Sequence, residues 1–323
     1  MALEASTWIQ EKGLSDLHVF EDEGLITPDS DTRRKKVNMV KEPKKYRFFF
    51  MSAFRMPSDS RFLRPRTGTK EQRMMNYDHI KHLFDDIEWD YHEGPLAPYG
   101  DWPVENREEF CLAAAARLPI VREACESGKY NAIILLGGGE PGFLESREIA
   151  RKYKIPVTAC AFSQMHIAAM LGNKFSVIDL AESHNMYYYN LVVQHRFTER
   201  CASIRNINFP LPRPGSTGTP ILEEWDRAVR GERSDAVEAA VKEAVAAIEE
   251  DGAEVITFGC SATFWLQPFV QRRLSEMGWE VPVLEGYGCA IVLAKSMVDL
   301  GVDASGLMFP NDHPKKWRRK KVF

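Results

Sequence analysis

The chain has 323 residues, 44% of them apolar and 27% charged, which is core-forming material for one large or two medium domains and excludes a fibrous, disordered or disulfide-dense class. Its 42 basic and 46 acidic residues leave a net charge of −4, so nothing in the global charge argues for nucleic acid or an anionic membrane as partner, and a small molecule is the default ligand. Cys111, Cys125, Cys160, Cys201, Cys260 and Cys289 lack CxxC or Cys/His spacing, no run approaches the ~18 apolar residues of a membrane span, and MALEASTWIQEKG has no leader pattern. The expectation is a cytoplasmic protein with reduced thiols and no metal site.

In chain order, residues 1–45 are polar, with Arg33-Arg34-Lys35-Lys36 and Lys44-Lys45, and read as an added arm. It is either a loosely packed tail or, given Trp8, Ile9, Leu17, Val19 and Phe20, a segment that covers a site or swaps between subunits. Tyr46 to Met51 reads as the first strand. Ser52 to Thr69 is then a long loop bearing Arg55, Arg61, Arg64 and Arg66. Guanidinium groups match carboxylates in a two-point fork, so the loop is a candidate lid for an acidic substrate, with Arg61 and Arg64 as contacts; a solvated loop paired with Asp59 and Glu71 is the alternative. Further on, Phe110–Ser127, Ser163–Leu171, Asp235–Glu250 and Phe269–Met277 have helical periodicity. Ile133–Leu136, Val157–Cys160, Phe175–Ile178, Val255–Phe258 and Val281–Leu284 read as short apolar strands, and the alternation is that of a parallel-sheet α/β fold. Lys315 to Lys321 reads as a solvated basic tail rather than a phosphate site.

Two of these strand–turn units repeat. Sliding Asn131 to Gly139 under Glu254 to Ser261 pairs Ala132 with Val255, Leu136 with Gly259 and Gly137 with Cys260, and both copies run on to a Pro-Val pair, Pro156-Val157 and Pro282-Val283. The repeat predicts two related α/β units. In open parallel sheets ligands bind beyond the carboxyl ends of the strands, where Cys260 lies, and a thiol there can have its pKa lowered from ~8.5; a buried inert cysteine is the alternative. Gly137, Gly138 and Gly139 form either a nest of backbone donors for a carboxylate or enolate oxygen or a tight turn. No G-x-G-x-x-G with a following ribose-binding acid is present, so no dinucleotide is expected. Ser163 and Gln164, placed at a helix start, are candidate substrate donors. Tyr187 and Tyr188, with His184, Asn185 and Tyr189, either line the cleft or pack a loop junction. Cys160 is either a substitute thiol or core.

With Glu93-Gly94-Pro95, Tyr130 to Gly142 ending Glu140-Pro141-Gly142, Ile155-Pro156-Val157, AAMLGNKFSV over Ala168–Val177, AAIEEDGAEVITFGC over Ala246–Cys260 and Pro282 to Gly301 in this order, the chain resembles the Asp/Glu/hydantoin racemase superfamily over about residues 46–301. Within it the hydantoin racemases are most similar. The resemblance implies a cofactor-independent enzyme with two pseudo-symmetric Rossmann-like α/β lobes, residues 46–157 plus 285–323 and residues 158–284, and an active site in the cleft between them. It also implies one thiol from each lobe facing the substrate carbon. Cys260 matches the second thiol, and Gly137 replaces the first. Gly137, Gly138, Gly139, Ser163, Gln164, Tyr187, Tyr188, Gly259, Ser261 and Ala262 are then the expected contacts, and Glu285-Gly286 stands where the family often has Asp-Gly. Racemisation needs a proton to leave one face of a carbon and another to reach the opposite face. One thiol suits a carbanion protonated from one face, as in the single-thiol arylmalonate decarboxylases. A one-thiol decarboxylase or lyase is therefore favoured; a racemase with a non-cysteine second base and a non-catalytic binding homologue are the alternatives. The expected partner is an anionic or cyclic-amide small molecule, bound by a monomer or a homo-oligomer.

Overall fold

A computed structural model describes residues 44–311 apart from 64 and 218, together with Lys316. The expectations for the arm and for the basic C-terminal run fall almost wholly outside those residues.

Four parallel strands, β1 (Tyr46–Met51), β2 (Ile87–His92), β3 (Ala132–Leu135) and β4 (Val157–Ala159), form one sheet in the order β2-β1-β3-β4. Three more, β5 (Phe175–Asp179), β6 (Cys201–Asn206) and β7 (Val255–Phe258), form a second parallel sheet in the order β6-β5-β7. Strands β3, β4, β5 and β7 are buried at every position, which is why they read as unbroken apolar runs and not as alternating ones. The helices are α1 (Lys70–Arg73), α2 (Tyr77–Ile80), α3 (Arg107–Glu126), α4 (Phe143–Arg151), α5 (Cys160–Leu171), α6 (Glu182–Gln194), α7 (Ile221–Val229), α8 (Asp235–Glu249), α9 (Gln267–Glu276) and α10 (Gly286–Leu300). Two parallel sheets flanked by helices are observed, the α/β class expected from the alternation of strands and helices.

One core joins the sheets. Phe48, Phe50 and Ile134 of the first share a buried cluster with Ile178 and Phe258 of the second, and each such side chain contributes about 1.5–3 kcal/mol by leaving water. Helix α8 presents the small, fully buried Ala236, Ala240 and Ala244 and packs on β5 and β6. Helix α10 returns the chain from the second sheet to pack on β3, β4 and α5.

Several predicted elements differ in their bounds or type. Helix α3 begins at Arg107, three residues before the apolar periodicity starts, because Asn106 and Glu109 cap it reciprocally. Val281–Leu284 makes a single bridge, Ile256 to Val283, and no ladder. The side chains of Gln267 and Gln271 take the main-chain groups a neighbouring strand would have used: Gln267 donates to the Val283 carbonyl, and Gln271 bonds Val281 O and Val283 N.

Candidate active site

Strand β3 leads through Leu136 into Gly137-Gly138-Gly139 and β7 leads into Gly259-Cys260, both turns lying beyond the carboxyl ends of their strands. The turns touch. A Cβ on Gly138 would lie 1.8 Å from the Gly259 carbonyl oxygen and 2.8 Å from Cys260 Cα. Gly137 has φ +109°, a conformation that favours glycine, and a Cβ there would sit 3.0 Å from that of Ala53. The backbone at the Gly137 turn is thus shaped for the absence of a side chain.

Gly137 to Gly139, Gly259, Cys260, Ser261 and Ala262 line one inner chamber with Asp179, His184, Tyr187 and Tyr188. Asp179, at the end of β5, is buried; its Oδ1 accepts the Cys260 N–H at 3.0 Å and the Leu180 N–H at 2.8 Å. Its Oδ2 and the buried His184 Nε2 make no hydrogen bond among the described residues. Burial raises the Asp179 pKa. Burial, and then the Asp179 carboxylate, push the Cys260 thiol up to about 12, against the pull of the Ala262 N–H. This runs against the expectation of a lowered thiol pKa: although the cysteine is part-buried and not sealed off, desolvation of the sulfur beside an anion outweighs the donors of the following turn.

Tyr187 stacks on Phe110 with ring centroids 3.7 Å apart, while Tyr188 donates to the Phe258 carbonyl at 3.3 Å. Burial raises both phenol pKa values, so both stay protonated. Behind the glycine turn, Glu140 accepts from Phe162 N at 2.6 Å and pairs with His195 at 2.8 Å. The fully buried Arg117 donates to the carbonyls of Met51, Leu136 and Pro141, tying the ends of β1 and β3 together.

Three expected contacts take other places. Ser163 and Gln164 lie fully buried inside α5, which starts at Cys160, and do not line the chamber; Gln164 bonds both main-chain groups of Phe258 at 3.0 Å. Their turn of α5 faces β7, so Gln164 fastens the helix to that strand. Arg61 is exposed beside Asp101, 3.9 Å away, because its stretch of the loop runs over the surface. Arg64 lies outside the described residues. Cys160 is fully buried and donates to the Leu135 carbonyl at 3.7 Å, and burial raises its pKa well above the usual range, so it is core. Glu285 caps α10, accepting from Tyr287 N at 2.8 Å and from Gly288 N. Arg55 and Arg66 line a second, outer chamber that shares Gly137 and Ser261 with the inner one. Among the described residues no cluster of His, Cys, Asp and Glu could hold a metal, and no helix is long and apolar enough to cross a membrane.

The family model for Asp/Glu/hydantoin racemases matches residues 102–294, a stretch that carries both turns. The chain belongs to the Asp/Glu/hydantoin racemase family. A hydantoin racemase from Pseudomonas sp. (strain NS671) is 28% identical over 209 residues, 64% of this chain and 74% of that protein. A second, from Paenarthrobacter aurescens, is 26% identical over 202 residues, 62% of this chain and 76% of that one. Among solved structures, allantoin racemase from Pseudomonas fluorescens superposes with a TM-score of 0.62 at 24% identity, covering 84% of this chain and 99% of that one. In this racemase-family chain the arginine loop, Ser52 to Thr69, precedes the matched stretch.

Asp179, Glu140 and Arg117 escaped the sequence reading. Asp179 carried a signal, a carboxylate at the last position of an apolar strand. Arg117 carried none, since an arginine amid Ala113 to Leu118 reads as a helix's solvent face.

Proposed function

We propose that the protein is a cofactor-independent, one-thiol enzyme in which Cys260 Sγ–H protonates, from one face, a carbanion formed next to a carboxylate or cyclic amide carbonyl. Its reaction is then a decarboxylation or related bond cleavage and not a racemisation. One observation carries this reading. Among the described residues the acid–base side chains of the inner chamber, Asp179, His184, Tyr187, Tyr188 and Cys260, all follow β4 in the chain, whereas the segments before it contribute glycine backbone, prolines and apolar side chains. No acid or base faces the chamber from the Gly137 turn.

For a substituted malonate the C–C bond to one carboxylate breaks, carbon dioxide leaves, and the electron pair stays on the α-carbon as an enediolate. The N–H groups of Gly138 and Gly139, unpaired among the described residues, are suited to its oxygen. The Cys260 proton then passes to carbon, and water reprotonates the sulfur. A thiol kept protonated at neutral pH suits this donor role. Asp179 positions the group through the Cys260 N–H.

The hydantoin racemases among its relatives favour a second reading, a racemase whose other base is not a cysteine. The test is a screen of substituted malonates for released carbon dioxide and of enantiopure hydantoins for lost optical rotation, with wild type and Cys260→Ala. The proposal expects carbon dioxide from wild type alone. Rotation lost from hydantoins with no release from malonates would support the racemase, and identical behaviour of the two proteins would make the chain a non-catalytic homologue.

A further inference from the structure

Among the described residues the outer chamber is walled by Arg55, Arg66 and Arg73 and by one carboxylate, Glu93. Arg73 already holds Glu93 at 2.9 Å. Arg66 lies over the Trp225 ring, 4.7 Å from its centroid, and neither it nor Arg55 has an ion pair among the described residues. Hydroxyls stand beside the cations: Ser52 and Tyr91 share a hydrogen bond of 2.8 Å on the same wall. Both guanidinium groups are exposed at the open side of the chamber, where Asp226 and Asp78 act on Arg66 only through space and Arg55 has no ion pair among the described residues, and their planar forks match carboxylate and phosphate oxygens.

Gly137 borders both chambers, and a side chain there would press on Ala53 at 3.0 Å. Gly137 thus puts no side chain on the wall that the space above Cys260 shares with the arginine-lined chamber. We propose that the outer chamber binds a second anionic group of the substrate, a carboxylate or phosphate, carried on an arm that passes Gly137, with Arg55 and Arg66 as its ligands. The substrate class is then a carbon acid with a remote oxyanion tail. This deepens the one-thiol reading and rests on it for the position of the reacting carbon.

The test is calorimetric titration of the full-length protein with straight-chain dicarboxylates from glutarate to pimelate, their monomethyl esters, and the matching phosphonocarboxylates. A diacid or phosphono acid is expected to bind at least about tenfold more tightly than its ester, the discrimination a lost charge-assisted pair produces. Arg66→Met and Arg55→Met should each abolish most of that preference, and Arg61→Met, which does not line the chamber, should leave it intact. Gly137→Val should put a side chain in the arm's way; because it also strains a positive-φ position, Arg66→Met carries the decision. Cys260→Ser should keep the preference, so loss of the chemistry and loss of this subsite are told apart. Equal binding of diacid and ester, no saturable binding of either, or a full preference in Arg66→Met overturns the proposal.

Discussion

Replacing Gly138 by alanine adds one methyl group where two turns meet. The added carbon would sit 1.8 Å from the Gly259 oxygen and 2.8 Å from Cys260 Cα, both main-chain atoms that no rotamer change can move aside. Reaching an ordinary contact requires the β3 and β7 turns to part by more than about 1 Å, and such overpacking costs about 1–3 kcal/mol. With backbone on both sides, the upper end is expected. A displacement of that size between Cys260 and the glycine donors lowers kcat/KM by on the order of 100-fold. Gly252→Ala is the control: it has φ +75° with nothing within 4 Å, so it carries backbone strain alone, about 1–2 kcal/mol, and no effect on the site. Urea unfolding measures the first quantity without any substrate, and turnover of whichever substrate the screen finds measures the second. If Gly138→Ala unfolds within about 0.5 kcal/mol of wild type and keeps its activity, the turns do not touch and the geometry of the site is wrong.

Further outcomes are expected elsewhere. Burial raises the Glu285 pKa from 4.5 to about 7, so the folded state holds a proton that the unfolded chain releases near 4.5. Stability from this group is complete below about 4.5 and falls as pH rises to about 7, by about 3 kcal/mol in all; the difference between wild type and Glu285→Gln should shrink or reverse by that amount from pH 4.5 to 8, and a constant difference contradicts it. Iodoacetamide should alkylate Cys260 more slowly at neutral pH than the exposed Cys111, and Asp179→Asn, which removes an anion beside the sulfur, should speed the reaction; a Cys260 that reacts fastest of all at pH 7 refutes the raised pKa. Arg117→Met strips three carbonyls of a buried donor and should cost about 3 kcal/mol or more in thermal or urea unfolding, whereas an unchanged midpoint would show that the guanidinium does not hold the strand ends.

The fold was legible where local pattern and burial coincide. Ile133 to Leu136 and Val255 to Phe258 are apolar runs because both faces are covered, and their alignment in the sequence sets Gly137 against Cys260. Val281 to Leu284 looks the same in sequence, yet its partners are the glutamine side chains of α9, which no strand pattern encodes. Placing the start of α5 three residues late put Ser163 and Gln164 at a helix terminus when they lie a turn inside, facing β7. In the arginine loop no periodicity says which guanidinium groups border a chamber: of the expected Arg61 and Arg64 the first lies on the surface beside Asp101 and the second lies outside the described residues, whereas Arg55 and Arg66 line the chamber. Asp179 shows the same limit, because its relation to Cys260 joins residues 81 positions apart through neighbouring strands.

The central claim is that a single thiol protonates from one face, and turnover in D2O tests it most directly. A prochiral substituted malonate is converted, and the product's deuterium content and enantiomeric composition are read by proton NMR and chiral chromatography. The account predicts one enantiomer with one deuterium at the α-carbon and no further exchange on prolonged incubation, with Cys260→Ala producing none. A racemic product, or exchange that continues into both enantiomers, would require a second acid–base group facing Cys260 and would contradict it.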